Sequence, residues 1–213
     1  MKKGIFHLNF IILIFTISMS SMTTLAAYNF NSKIKYKVGF KTEIEKPWIF
    51  FDLGNTLIDQ KREKKKLFYM PGALGYLKDL KKLGYRIGVI SNIPEKFGTN
   101  YTNKLKSLKH YVSKNWKDSE SFDWNVFDKI ILPLNDRERK PAPTLFSRAI
   151  SVAGNCPLLF MSENPLEVKA ASDLGFSTFQ VKKQVKGPIF LQKKKIKDKL
   201  LAVSKPSGST NCF

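Results

Sequence analysis

Residues 48–59 read WIFFDLGNTLID: the apolar run Trp48, Ile49, Phe50 and Phe51, then Asp52, then a short stretch through Leu53, Gly54, Asn55 and Thr56 to a second aspartate at 59. Four apolar residues in a row predict a strand buried on both faces. The acid, glycine and asparagine after them predict that the strand stops in a turn with a carboxylate at its tip. Similar β-type runs recur at 86–90, 129–132, 158–161 and 178–181, and most of the segments between them have helical spacing. Alternating strands and helices predict an α/β fold, a three-layer Rossmann-like parallel sheet with helices on both faces.

The helices are legible at different strengths. Pro71 and Gly72 predict a start, Leu74, Leu77, Leu80 and Leu83 a buried stripe, and Gly84 a stop. Further helices are expected at about 142–152, ended by Gly154, and at about 165–174, ended by Gly175, with a longer and more polar one within 98–117. The aromatics of NWKDSESFDWNVF, from Asn115, are expected to pack under a loop.

The chain of 213 residues, 43% hydrophobic and 13% aromatic, suits one globular domain with a substantial core. Residues 1–27 place Lys2 and Lys3 before an apolar run and end in small residues at Ala26 and Ala27, the layout of a secretory signal peptide. That run is shorter than the ~20 residues of a spanning helix. The expected mature chain is therefore secreted or periplasmic, with no transmembrane domain. Residues 28–45 are expected to be an N-terminal arm, 46–186 the globular domain and 187–213 a basic C-terminal segment and tail.

Lys and Arg number 37 against 17 Asp and Glu, a net charge of +20 that becomes +18 when Lys2 and Lys3 leave with the leader. The runs KREKKK (61–66), KKQVK (182–186) and QKKKIKDK (192–199) could contact anionic surfaces. They lack the interleaved aromatics or groove-reading pattern of a dedicated nucleic-acid motif. Cys156 and Cys212 are compatible with one disulfide in an oxidising compartment without establishing it.

In open α/β sheets a ligand site lies at the carboxyl ends of the strands. That edge gathers Asp52, then Ser91 and Asn92, then Lys140 after the third run, then Glu163 and Asn164. A carboxylate nucleophile, a cation to offset its charge and donors for phosphoryl oxygens are the parts that phosphoryl transfer needs. Two carboxylates without soft ligands suit a hard cation such as Mg²⁺. Taken singly, each residue is more readily a cap, a turn former or one lysine among many. Together at one edge they make a site.

Four stretches in this order, FFDLGNTL, GVISN, RKPAPTLF and LLFMSENPLEVKAASDLGF, resemble the haloacid dehalogenase-like (HAD) hydrolase superfamily over roughly residues 46–182. The resemblance implies a Mg²⁺-dependent phosphatase acting on a phosphorylated small molecule or polymer. It makes Asp52 the nucleophile that becomes a transient aspartyl phosphate, with Asp52, the Gly54 carbonyl and Glu163 holding the metal. Ser91, Asn92 and Lys140 would bind the phosphoryl oxygens, with Lys140 also offsetting the charge of Asp52. Thr56 would brace the turn, and Glu167 would reach the metal through water. An exposed Glu167 is equally expected in the first turn of a helix on dipole grounds alone.

Two departures stand out. Most phosphatases of the superfamily carry a second aspartate two positions after the nucleophile, as leaving-group acid and water base; here that position is Gly54. Ser162-Glu163 also stands where Gly-Asp is usual. A HAD-like protein that binds phosphorylated or other anionic ligands without turnover is thus an alternative. A dehalogenase is disfavoured, because only 34 residues separate Thr56 from Ser91, too few for a hairpin-like flap, a helix and a cap. An uncapped site open to bulky or polymeric phosphoesters is the corresponding expectation.

Overall fold

Alternate residues of the strand that carries WIFF face opposite cores. In the computed structural model, which describes residues 46–63, 66–182, 189–203 and 212, Ile49 and Phe51 of β1 (Trp48–Phe51) enter one hydrophobic cluster and Phe50 the other. This is the two-residue period of a strand buried on both sides. The expected leader, the N-terminal arm and parts of the Lys-rich runs lie outside the described residues.

An antiparallel hairpin follows, β2 (Ile58–Glu63) and β3 (Lys66–Tyr69), then α1 (Ala73–Lys82) and β4 (Arg86–Ile90). Next come α2 (Tyr101–Asn115), β5 (Lys129–Ile131), α3 (Thr144–Ala153), β6 (Leu158–Ser162), α4 (Pro165–Asp173), β7 (Ser177–Gln180) and α5 (Lys193–Leu201). The main sheet runs β5-β4-β1-β6-β7 with every pair parallel. This is the three-layer α/β fold expected from the sequence.

Because β1 is central and the chain passes to β4 on one side and β6 on the other, Asp52 stands where the strand order reverses. That is where open α/β sheets bind ligands. Two cores hold the layers together. Leu77 and Leu80 of α1, with Ile196 and Leu200 of α5, pack on Ile49, Phe51, Val89 and Met161. Leu145, Phe146 and Ala149 of α3, with Ala171 of α4, pack on Phe50, Ile90 and Phe160. Gly88 makes room for the second: a Cβ there would lie 2.2 Å from Phe50 Cε1.

The stripe expected on α1 is corrected at its end. Ala73, Leu77 and Leu80 are buried, whereas Leu83 is 59% exposed. Leucines spaced by three fall about 60° short of a turn at each step, so the last has rotated off the buried face. Gly84, with φ 85°, takes the left-handed conformation that ends the helix. The aromatic segment packs as expected: Phe122 lies within stacking or edge distance of Tyr69, Trp116, Trp124 and Phe127, under the hairpin.

The C-terminal segment adds to the core. Ile196 and Leu200, four residues apart on one face of α5, are fully buried, and Cys212 is joined to Cys156 by a disulfide with Cα atoms 5.6 Å apart. No helix among the described residues is long and apolar enough to cross a membrane.

Candidate active site

Asp52 leaves the end of β1 with its backbone N–H donating to the Met161 carbonyl at 2.9 Å, so β6 sets the position of the carboxylate. The turn beyond it is tight. Leu57 and Ile58 both donate to the Leu53 carbonyl at 3.0 and 2.9 Å, and Asn55 donates to Ile58 at 2.7 Å. Asn55 has φ 54°, a left-handed conformation that asparagine tolerates better than most residues.

Behind Asp52 sits Lys140, its side chain fully buried. Its Nζ donates to Asp52 Oδ1 at 2.6 Å and to Glu167 Oε2 at 2.7 Å, while Ser162 Oγ donates to the same Glu167 oxygen at 2.9 Å. Burial pushes the Glu167 carboxyl above the usual range, with the Lys140 charge opposing and the Asp52 charge adding to it. Glu167 is therefore not the exposed first-turn residue that the dipole argument allows. It is buried because α4 starts immediately after β6 and aims its first turn at the lysine.

Asn92 holds Lys140 in place. Its Nδ2 donates to the Lys140 carbonyl at 2.9 Å, and the Lys140 N–H donates to Asn92 Oδ1 at 2.7 Å. With the side chain so engaged, a contact from Asn92 to a phosphoryl group falls to its backbone. Thr56 joins the ends of β1 and β6: its Oγ1 donates to Asp52 Oδ2 at 3.5 Å and accepts the Glu163 N–H at 3.0 Å.

A cavity of about 400 Å³ opens beside Asp52, and Gly54, Asn55, Ser91, Asn92 and Glu167 are among the residues that line it with Asp52. Lys140 and Glu163 are not on its wall. The two carboxylates that grip Lys140 hold its ammonium behind Asp52, and Glu163 accepts from Asn55 Nδ2 at 3.2 Å. Asp59 is buried in the hairpin and is not on the wall either.

The donor set suits a hard cation. No group of three or more His, Cys, Asp or Glu side chains able to hold a metal occurs among the described residues. Yet Asp52, Glu163 and the Gly54 carbonyl offer oxygen alone, and Asn55 Oδ1 beside them is buried without a hydrogen-bond partner. Two carboxylates with a carbonyl and waters suit Mg²⁺, which keeps several waters.

Sequence reasoning missed Asn55 and Gln60; it noted Ser162 as a departure from the superfamily's pattern without assigning it the hydrogen bond to Glu167. Gln60 carried no signal: its amide comes from the hairpin, and a Cβ on Gly54 would lie 3.0 Å from its Nε2.

No protein-family model matches the chain, and no curated protein matches it. Solved structures do resemble it. A HAD family enzyme of Bacteroides thetaiotaomicron, in complex with magnesium and inorganic phosphate, is 18% identical, covering 66% of this chain and 96% of its own, with a TM-score of 0.48. An uncharacterized protein from Listeria monocytogenes serotype 4b is 13% identical over 74% of this chain and 98% of its own, at a TM-score of 0.49. The D,D-heptose 1,7-bisphosphate phosphatase of B. bronchiseptica, complexed with magnesium and phosphate, is 13% identical over 63% of this chain and 79% of its own, at 0.44. The HAD family, which the four motifs resemble, is thus represented among the chain's structural neighbours.

Proposed function

We propose that the chain is a Mg²⁺-dependent phosphohydrolase that works through an aspartyl phosphate on Asp52. The observation that carries this reading is the buried Lys140 ammonium, 2.6 Å from an Asp52 carboxylate that faces a cavity at the sheet's carboxyl edge. The lysine offsets the charge of Asp52 and aims its carboxylate, as a carboxylate nucleophile requires. Asp52 Oδ attacks phosphorus, the P–O bond to the leaving group breaks, and the departing oxygen takes a proton from water. Water then hydrolyses the acyl phosphate, releasing inorganic phosphate and restoring Asp52. Ser91 and the Asn92 backbone hold phosphoryl oxygens. Mg²⁺, held by Asp52, Glu163 and the Gly54 carbonyl, would offset the charge that gathers on those oxygens.

A second reading, binding without turnover, is favoured by Gly54, which supplies no acid/base where the Gln60 amide stands instead. The leader and the Cys156–Cys212 disulfide support export to an oxidising compartment. The exposed lysines of α5 support contact with an anionic surface.

The test is hydrolysis of p-nitrophenyl phosphate and a phosphoester panel by the mature protein, with Mg²⁺ or with chelator. Turnover that needs Mg²⁺ and is lost in Asp52→Asn is the expected result. Phosphate binding without turnover on any ester would replace the enzyme reading with the binding one.

A further inference from the structure

Resting on the phosphohydrolase reading, we propose that the site is specific for phosphomonoesters whose leaving group is a flat, apolar body such as an aromatic alcohol, held between the hairpin and α2. The lining of the cavity beside Asp52 is part polar and part apolar. Its apolar members include Ile58 and Leu67 from the hairpin and Leu108 and Val112 from α2. Two of its members are aromatic. Phe97 and Tyr111 stand with ring centroids 5.8 Å apart and planes tilted by 52°, and Tyr111 is 41% exposed although it lines the cavity. Of the other polar lining groups, Asn55 and Gln60 belong to the turn after Asp52 and to the hairpin, Glu167 is engaged by Lys140, and Lys96 is an exposed chain on the short turn before α2.

Two exclusions follow. About 400 Å³ accommodates a small molecule and not the length of a polymer, which narrows the open site expected from motif spacing. A sugar phosphate would press hydroxyls against Leu108 and Val112, where they would lack partners, and such unmatched polar groups cost heavily in specificity. An aromatic ring placed there would have the faces and edges of Phe97 and Tyr111 to pack against.

The test separates chemistry from pocket. Acetyl phosphate, with almost no body, reports whether the mature protein transfers a phosphoryl group at all. Benzyl phosphate against glucose 6-phosphate compares two primary alkyl esters that differ in the body. The expected result is a kcat/KM preference for the benzyl ester of about tenfold or more, reduced several-fold in Tyr111→Ser and in Phe97→Ala. Equal turnover of the two esters, or a preference that survives both substitutions, overturns the proposal while leaving the phosphohydrolase reading standing. Binding of 1-naphthyl phosphate to Asp52→Asn, by calorimetry, decides the matter even without turnover. Weakening by about tenfold in Asp52→Asn with Tyr111→Ser supports the pocket, and unchanged affinity overturns it.

Discussion

Gly54, two positions after Asp52, presents only backbone, and the space a side chain would enter holds the Gln60 amide, 3.0 Å from where a Cβ would stand. An amide can hold an oxygen or a water but cannot give up a proton at neutral pH, so under the phosphohydrolase reading the leaving group would take its proton from solvent. Restoring a carboxylate by Gly54→Asp alone sets it against that amide, which would donate to it and blunt its basicity. Gly54→Asp with Gln60→Ala leaves the carboxylate to the cavity. The expected order of kcat is the double variant, then Gly54→Asp, then the parent protein, with the double gaining toward the ~10²-fold typical of general acid/base catalysis. Equal rates in the single and double variants would remove Gln60 from the account.

At the scale of elements, Asp128 ties α1 to the sheet just before β5. It accepts from Lys81 Nζ at 2.8 Å, from the Ile87 N–H at 2.8 Å and from Arg86 at 3.3 Å. Partial burial acts to raise its carboxyl, but the Lys81 bond, the Ile87 amide and Arg86 prevail and hold it below the usual range. A carboxyl lowered in the folded state stabilises above its unfolded value of about 3.9. That stabilisation is lost as pH falls through the lower folded value. Asp128→Ala is expected to cost about 1–2 kcal/mol at pH 7, discounted for the half-exposed lysine and arginine. Its deficit should shrink toward zero as pH drops below 4, as read by urea denaturation of both proteins across that range. A deficit that does not change with pH would assign the effect to packing alone.

Across the whole molecule, the C-terminal segment returns to the sheet. Helix α5 buries Ile196 and Leu200 in the same core as β1, Lys193 pairs with Asp79 of α1, and Cys212 closes a loop of 56 residues back to Cys156. A cross-link of that span contributes about 2–4 kcal/mol through the unfolded chain. Reduction, or Cys212→Ser under oxidising conditions, is expected to lower the midpoint of thermal unfolding by several degrees. Turnover at low temperature should remain, because neither cysteine touches the cavity around Asp52. A midpoint indifferent to reductant would mean that α5 is held by burial alone.

The residue types and their spacing were enough to determine the layered sheet and the order of its strands in sequence. A strand buried on both faces needs a continuous apolar run, and such runs with their glycine stops are local facts. The same local signals put Asp52 at a strand end and brought Ser91, Asn92, Lys140 and Glu163 to one edge. Tertiary structure alone decided which charges are buried together. The grip of Asp52 and Glu167 on Lys140, the Asn92 clamp on the lysine backbone, and the Gln60 amide over Gly54 join residues from different elements. So does the apolar wall between the hairpin and α2. Their distances depend on how the layers pack, which no run of neighbouring residues encodes. WIFFDLGNTLID thus carries the strand-end carboxylate of Asp52 in its own letters, while what surrounds that carboxylate is supplied by the rest of the fold.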